Sequence, residues 1–234
     1  MVTVYYGCYN MKEGSYDYCN EPESVISTIV EDLGIGVESP QSVHRCPAFN
    51  QSLKNLYKIK ATMDYEFKWD GENLNSNMYD QEFFNNNIVI RDQSAGFFTY
   101  EDPTLFMFTD AADLEVEVLP TLYEKQNLIK GNTIVGSYNI AKHFRRLEWA
   151  FILREPQTVL IKAGTPLYYL KFHTDKKIKF KRFIVTPELH KLHLSLLKYR
   201  AHTLKLIPLE WYYNTVCKYY KKKYLQIIKN NILD

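Results

Sequence analysis

The chain has 234 residues, of which 46% are apolar and 24% charged, and its formal net charge is +2. This length and balance suit one large or two small folded domains with a proper hydrophobic core, and they exclude a wholly disordered chain. The sequence has no run of 18 apolar residues and no basic N-terminal segment followed by an apolar one. We therefore expect a protein that neither spans a membrane nor is secreted.

The beginning of the chain predicts a strand, a helix and a loop. VTVYYGCY is rich in β-branched and aromatic residues, as strands are. EPESVISTIVEDLGIG has a proline near its start, acidic residues in its first turn and Gly34 as a stop signal, which predicts a helix. Residues 37–55 are rich in turn formers and are predicted to be loop.

Short β-rich runs separated by turn clusters dominate the middle of the chain. They read LYKIKA, YEFKWD, NIVIRD, FFTYE, LFMFTD and LEVEVL. Further on, TVLIKAGTPLYYLKFHT contains two runs split by residues 163–166, where Gly164 and Pro166 predict a corner. KIKFKRFIV alternates basic and apolar residues, so one face carries the ladder Lys177, Lys179 and Lys181. This pattern favours an antiparallel β-sandwich or jelly-roll-like core over residues 50–185.

The character of the sequence changes at Thr186-Pro187-Glu188, which has the residues of a helix N-terminus. Pro208 begins a second predicted helix. Its apolar face is predicted to comprise Tyr212, Val216, Tyr220, Tyr224 and Ile227. The predicted fold is thus mainly β with a C-terminal helical element, α+β overall. Its segments are 1–49 (strand, helix and loop), 50–185 (sandwich) and 186–234 (basic helices).

The four cysteines give no motif. None of Cys8, Cys19, Cys46 and Cys217 lies in a C-x-x-C pair, which disfavours a zinc ribbon or a thioredoxin-like site. Cys8 and Cys19 could pair, but without a secretory signal we expect reduced thiols. Cys46 follows His44 and Arg45, which could activate a thiol, yet no catalytic triad motif accompanies it.

His173-Thr174-Asp175 is an H-x-D triplet at the end of a predicted strand. Iron- and 2-oxoglutarate-dependent oxygenases hold their metal with such a triplet, a second histidine and open positions. His190 with Arg200 has the histidine–arginine spacing of that family, but both lie in a predicted helix, and only 14 residues separate Asp175 from His190. The alternative is a surface histidine beside a turn aspartate. Phosphate-loop, G-x-S-x-G and H-E-x-x-H motifs are missing from the sequence, so no cofactor is expected and an enzyme is disfavoured.

Charge is the strongest functional signal in the sequence. Residues 1–140 carry 9 Lys+Arg against 21 Asp+Glu, whereas residues 141–234 carry 20 against 6. Lysines and tyrosines interleave in CKYYKKKY, a pattern that suits phosphate contacts and base stacking as well as protein contact. The predicted binding residues are Lys177, Lys179, Lys181, Lys218, Lys221, Lys222, Lys223, Tyr220 and Tyr224.

One resemblance rests on the stretch from Ala141 to Phe183. It is carried by Phe144-Arg145-Arg146, Trp149-Ala150-Phe151, the corner at 163–168 and Phe172-His173-Thr174-Asp175, with Arg45-Cys46-Pro47-Ala48-Phe49 and Leu53-Lys54-Asn55 upstream. These pieces resemble a group of uncharacterised proteins of tailed phages, particularly marine ones. The resemblance implies a viral origin and a role in the virion or in the cytoplasm of an infected bacterium, and it implies no settled activity.

Together these signals predict a phage protein without enzymatic activity that acts by association with protein. The partner would be a virion neighbour, a second copy of the chain or a host factor. The alternatives are an oxygenase using His173 and Asp175, and a nucleic-acid-binding protein using the basic C-terminal helices.

Overall fold

A computed structural model describes residues 1–9, 20–33, 43–79, 82, 88–124, 132–203 and 208–233. These residues form three β-sheets with helices packed on two outer faces. No helix in the described ranges is both long and apolar enough to cross a membrane.

The first sheet has six strands in the order β14-β1-β7-β11-β9, with β6 also paired to β7. They are β1 (Val2–Tyr9), β6 (Ile88–Asp92), β7 (Phe97–Thr109), β9 (Asn132–Thr133), β11 (Arg145–Ile152) and β14 (Ile178–Arg182). The pair β1–β14 is parallel, and the other described pairs of this sheet are antiparallel.

The second and third sheets are antiparallel. The second sheet, in the order β10-β8-β13-β3-β2, contains β2 (Glu23–Ser24), β3 (Leu56–Lys60), β8 (Glu115–Leu119), β10 (Gly136–Asn139) and β13 (Pro166–Phe172). The third, in the order β12-β4-β5, contains β4 (Tyr65–Trp69), β5 (Leu74–Asn75) and β12 (Gln157–Ile161).

Two helical layers cover the sandwich. The N-terminal helical layer consists of α1 (Val25–Leu33) and α2 (Pro47–Leu53), with a 3₁₀ turn at Val43–Arg45. The C-terminal helical layer consists of α3 (Pro187–Thr203), α4 (Leu209–Tyr212), a π-helical turn at Tyr213–Cys217 and α5 (Lys218–Asn230).

Strand alternation explains why the first sheet serves two cores. Successive side chains of a strand point to opposite faces. Val4 and Tyr6 of β1 therefore join the central core between the sheets, whereas Tyr5 joins the core beneath the C-terminal helical layer. The central core is aromatic, and its fully buried side chains include Trp149 and Phe67.

The predicted fold class is confirmed: the chain is mainly β, with antiparallel sheets and a C-terminal helical element. The corner before β13 has Gly164 at φ +84°, a left-handed conformation that favours glycine. Thr186 begins α3 as expected, because its Oγ1 accepts a hydrogen bond from the Leu189 backbone N–H at 3.2 Å.

Several details of the prediction are wrong. Residues 47–53, predicted as loop, form α2 with Pro47 in its first turn. FFTYE and LFMFTD, predicted as two strands, are one strand, β7, whose register against β11 shifts between Leu147 and Trp149. Pro103 falls at this irregularity, where a missing N–H donor costs least.

The N-terminal strand is built into the first sheet, and Cys8 differs from expectation. β1 lies inside the first sheet between β14 and β7, so segment 1–49 shares a sheet with the predicted sandwich. Cys8 is disulfide-bonded, against the expectation of a reduced thiol. Cys46 is exposed and Cys217 is buried, and neither is disulfide-bonded, whereas Cys19 lies outside the described residues.

Candidate functional site

The H-x-D triplet lies in a turn after β13, where its two side chains contact different partners. The His173 Nε2 atom is 3.2 Å from Glu117 Oε2 on the neighbouring strand β8. The Asp175 side chain is 95% exposed, and its Oδ1 atom pairs with Lys54 Nζ at 3.0 Å. The two side chains of the triplet therefore make separate contacts, His173 with Glu117 and Asp175 with Lys54.

This turn is tied to the C-terminal end of α2. Asn55, in the left-handed conformation at φ 53°, donates from Nδ2 to the carbonyls of Thr174 at 2.7 Å and Lys176 at 3.0 Å. Lys171 Nζ donates to the carbonyls of Ser52 at 2.7 Å and Lys54 at 2.6 Å, where a helix end leaves carbonyls without helical partners. The triplet is therefore part of a joint between the second sheet and the N-terminal helical layer.

A facial triad at this turn would need a further ligand. Within the described residues, no group of three His, Cys, Asp or Glu side chains could hold a metal. His190 is on α3, which packs on the first sheet, whereas β13 belongs to the second sheet. The oxygenase alternative thus has two of its three ligands here and stays a prediction.

The predicted lysine ladder lies at a sheet edge. Lys177 and Lys179 are exposed and Lys181 is half-buried. Lys179 and Lys181 belong to β14, the terminal strand of the first sheet. Charged side chains on an edge strand discourage pairing with another chain, which gives this ladder a structural role as well.

The fold uses several of the predicted binding residues internally. Tyr224 is 2% exposed and half-buried Tyr220 packs beside it, so the expectation that Tyr224 makes an outside contact is wrong. Lys221 Nζ donates to the Ala111 carbonyl at 2.7 Å and lies 6.0 Å above the Phe108 ring. Burial lowers the pKa of Lys221, against the opposing effect of Asp110 and Asp113.

The outward side of α4–α5 carries different residues. Tyr219 is 81% exposed and Trp211 is 46% exposed. Thr215, Lys218 and Lys222 are exposed beside them. We call these five residues the outer helical face. Lys223 is also exposed, but its Nζ lies 3.9 Å from Glu188 Oε1.

Exposed carboxylates gather at one end of the sandwich, where three turns meet. Gln93 Nε2 donates to the Glu72 carbonyl at 2.7 Å, and the Leu153 N–H donates to the Gly96 carbonyl at 3.0 Å, which joins the turns. The exposed acidic residues there are Asp70, Glu72, Asp92 and Glu155, beside two exposed arginines, Arg154 and Arg91. Backbone and side-chain hydrogen bonds lower the pKa of Asp70 and that of Asp92, so both are charged at neutral pH. We call these four residues the acidic tip.

A cavity of about 530 Å³ lies between the outer face of the first sheet and the C-terminal helical layer. Its walls combine aromatic and apolar side chains with a few charged ones. They comprise Arg91, Phe97, Thr99, Ile134, Tyr138, His143, Phe144, Arg146, Glu148, Ala150, His193, Leu196, Leu197, Tyr212, Cys217 and Tyr224.

The charged wall of the cavity comes from strands β6 and β11. Arg91 Nη2 and Arg146 Nε approach the two carboxylate oxygens of Glu148, at 3.0 and 3.2 Å. Arg91 Nε also donates to Thr99 Oγ1 at 2.9 Å, and Thr99 is only 2% exposed. The sequence held a partial signal for this wall: in RRLEWAFI, Leu147, Trp149 and Phe151 enter the central core, which turns Arg146, Glu148 and Ala150 outward.

Fold and site together define a class: a β-sandwich protein with two helical layers, an exposed aromatic-basic helical face and a mixed polar cavity. Comparison with protein-family models, with curated sequences and with solved structures returns no significant match. The class therefore rests on the geometry alone.

Proposed function

We propose that the protein acts without enzymatic activity, by protein–protein association, and that its outer helical face docks on the acidic tip of a second copy. The observation that carries this proposal is the exposure of Trp211 and Tyr219 on one short helical segment. Tryptophan and tyrosine are enriched among the residues that dominate binding energy at interfaces. Each of the two offers a large apolar ring system with one polar group, which suits a contact surface that is wet at its edge.

Charge complementarity supports a second copy as the partner. Lys218 and Lys222 flank Tyr219 on the outer helical face, and the acidic tip offers four carboxylates against two arginines, Arg154 and Arg91. The two surfaces are different patches of one chain, so a contact between them is heterologous. Such contacts build rings or open filaments rather than closed two-fold dimers.

The setting that we propose is a phage virion or an infected bacterial cell. It rests on the resemblance of residues 141–183 to tailed-phage proteins. A heterologous contact that repeats from copy to copy would suit a virion component.

Protein is favoured over nucleic acid by the way the fold uses the lysine–tyrosine pattern. Nucleic-acid binding through CKYYKKKY needs tyrosines free to stack and lysines free to meet phosphates. Tyr224 is in the core, Lys221 donates to a backbone carbonyl and Lys223 lies near Glu188.

The experiment is sedimentation velocity over a concentration series, at low and high salt. The wild-type chain should associate, and salt should weaken the association because charge pairs contribute. Tyr219→Ser should weaken it most, by about 30-fold for a side chain contributing about 2 kcal/mol. Lys222→Glu should weaken it less, and Lys176→Glu, the same charge change at the H-x-D turn, should leave it unchanged.

A charge exchange identifies the surface that receives the helix. Adding Glu72→Lys to Lys222→Glu restores opposite charges across the contact and should recover association. A wild-type chain that stays monomeric at every concentration would contradict the second-copy proposal. Steeply salt-dependent binding of a DNA or RNA oligonucleotide by that monomer, lost in Lys222→Glu, would support the nucleic-acid alternative instead.

A further inference from the structure

We propose that a second, smaller cavity inside the sandwich is a water-binding site, in which bound water accepts a hydrogen bond from the indole N–H of Trp149. We call it the inner cavity. It encloses about 30 Å³ and is lined by residues of the first and second sheets. The proposal is independent of the association proposed above, since the inner cavity and the outer helical face share no residue.

The inner cavity lies where two strands of the first sheet shift register. β7 and β11 pair at Leu105 with Leu147 and again at Tyr100 with Trp149, so residues 101–104 of β7 lie opposite the single residue 148 of β11. All four of the paired residues line the inner cavity. Such an irregularity bends a strand and interrupts its ladder locally. The space beside Trp149 therefore follows from the register shift.

Trp149 supplies a buried donor that needs an acceptor. Its side chain is 2% exposed, and its Nε1 atom makes no hydrogen bond within the part of the chain that the structure describes. The rings of Phe67 and Phe151 lie beside it, and an aromatic ring is only a weak acceptor. Buried N–H groups in folded proteins are nearly always satisfied by protein or by ordered water. Water is therefore the acceptor that the fold leaves room for.

The size and polarity of the inner cavity fit water. A bound water needs at least about 10–15 Å³ and about two to four polar partners, so about 30 Å³ accommodates one or two molecules. Pockets for organic ligands are typically about ten times larger. The hydroxyl-bearing residues Tyr100, Tyr168 and Thr62 line the same space. Burial raises the pKa of Tyr168, so its hydroxyl keeps its proton at neutral pH and can donate as well as accept.

The residues of the wall differ in exposure, which gives water a route to the site. Lys60 and Thr62 are half-buried and Asn20 is exposed. The aliphatic part of the wall, formed by Leu105, Leu147 and Leu167, is at most 8% exposed. Water can thus enter from the polar side without separation of the sheets, and it is then held among buried side chains.

Nuclear magnetic resonance of the ¹⁵N-labelled full chain tests the site. The three tryptophans give three indole N–H signals, which Trp→Phe substitutions at 69, 149 and 211 assign. We expect cross-peaks from water to the Trp149 indole proton whose signs are opposite in NOE and ROE spectra, as for a water bound for longer than nanoseconds. Trp211, which is 46% exposed, is the control: exchange of its indole proton with bulk solvent gives cross-peaks of the same sign in both spectra.

Two pairs of variants locate the water. Leu167→Phe adds bulk to the wall and should abolish the Trp149 cross-peaks, whereas Leu167→Ile conserves volume and should retain them. Tyr100→Phe and Tyr168→Phe each remove one hydroxyl, and the cross-peaks should persist in both because other polar partners remain. Thermal unfolding of each variant shows whether the fold is retained. If Leu167→Phe does not fold, the wild-type chain and the tyrosine variants still decide the question.

Three results would overturn the proposal. The first is the lack of water cross-peaks at Trp149 in the wild-type chain, because the indole N–H would then face a dry aromatic wall. The second is their loss in Tyr100→Phe or in Tyr168→Phe, because the signal would then come from a hydroxyl proton in exchange with solvent. The third is their persistence in a folded Leu167→Phe chain, because the water would then lie outside the inner cavity.

Discussion

The two helical layers pack on their sheets in different ways. The N-terminal helical layer has a small, mostly aliphatic core, in which Val25, Ile29 and Leu53 meet Leu56 and Tyr169 of the second sheet. Each of these five residues is at most 3% exposed. The C-terminal helical layer instead packs aromatic rings on the first sheet, with charged strand residues and a cavity of about 530 Å³ beside them.

The difference follows from which side chains the outer sheet face presents. Aliphatic side chains interdigitate and leave little space. On β11 the outward positions are Arg146, Glu148 and Ala150, two of which hold each other in an ion pair while the third is small. The helix above cannot fill that space with α3 side chains alone. The same sheet face thus supports both a packed aromatic core and an adjacent cavity.

The largest effect on stability is expected from a substitution in the aromatic core. It tests whether that core holds the C-terminal helical layer as firmly as the aliphatic core holds the N-terminal one. Phe144 stacks on Phe106 at 4.9 Å and on Tyr224 at 4.7 Å between ring centroids. Phe144→Ala should lower the free energy of unfolding by about 3–5 kcal/mol, and Ile29→Ala in the other layer by about 2–4 kcal/mol. Urea denaturation measures both.

The opposite ranking of these two losses in stability would contradict the comparison of the two helical layers. If Phe144→Ala cost less than Ile29→Ala, the aromatic layer would be only loosely docked. An unfolding curve with two transitions in Phe144→Ala alone would locate that weakness in the C-terminal helical layer. Ile29→Val, which removes one methylene, is the graded control and should cost about 0.5–1.5 kcal/mol.

Asn55 anchors the N-terminal helical layer, and its substitution should have the next largest effect on stability. Asn55→Ala removes two hydrogen bonds to the turn at 174–176, and alanine tolerates the left-handed conformation of this position less well than asparagine does. We expect a loss of about 2–3 kcal/mol in unfolding free energy. Asn55→Gly tolerates the conformation, so it should lose only the hydrogen-bond part.

The control for Asn55 lies in the same turn. Asp175→Ala removes only an exposed ion pair with Lys54 and should change stability by less than about 0.5 kcal/mol. The wild-type chain incubated with ferrous iron should retain no stoichiometric metal by elemental analysis. One iron per chain, lost in Asp175→Ala, would contradict the structural role of the turn and revive the oxygenase alternative.

Sequence patterns predicted the strands, corners and helix starts that depend on residues close together in the chain. β-branched and aromatic residues predicted β1, alternation predicted β14, the Gly164–Pro166 corner separated β12 from β13, and Thr186 began α3. The seven-residue α2 was missed because it has no side-chain N-cap and only Pro47 marks its start. β7 was split because Pro103 reads as a breaker, whereas a strand irregularity accommodates it.

The functional surfaces were harder to predict because tertiary packing assigns them. Tyr224 belongs to the predicted apolar face of its helix and was also expected to bind a partner. In the structure its side chain is buried in the core. The cavity of about 530 Å³ draws on three separate parts of the chain, which contribute Arg91, then Phe144 and Glu148, and then His193. No local spacing brings such residues together, although strand alternation in RRLEWAFI is a signal that could have placed Arg146 and Glu148 on one face.

The smallest effect on stability is expected for the ion pair that anchors the C-terminal helical layer. It joins Lys229 on α5 to Asp110, the residue after β7. Lys229 Nζ lies 3.0 Å from Asp110 Oδ2, which also accepts a hydrogen bond from the Tyr5 hydroxyl at 3.1 Å. Burial alone would raise the pKa of Asp110, but the hydrogen bonds from Lys229 and Tyr5 outweigh it and hold that pKa below 3.8. The hydrogen bond to Asp110 raises the pKa of Lys229 above 10.5.

These shifts fix the pH window. The contribution of Asp110 is complete above pH 3.8 and is lost as pH falls through its lower folded pKa. That of Lys229 is complete below pH 10.5 and is lost as pH rises through its higher folded pKa. Since the two side chains are 39% and 48% exposed, Asp110→Asn should cost only about 0.5–1 kcal/mol at neutral pH.

Urea denaturation of wild type and Asp110→Asn at several pH values measures this difference. It should be constant through the neutral range and shrink at both extremes. Lys223→Gln is the matched control, because its 3.9 Å pair with Glu188 is more exposed and should contribute nothing measurable. If the two variants were equally destabilised, α5 would be held by its apolar side chains alone. The ionic anchor would then have no part in the difference between the two layers.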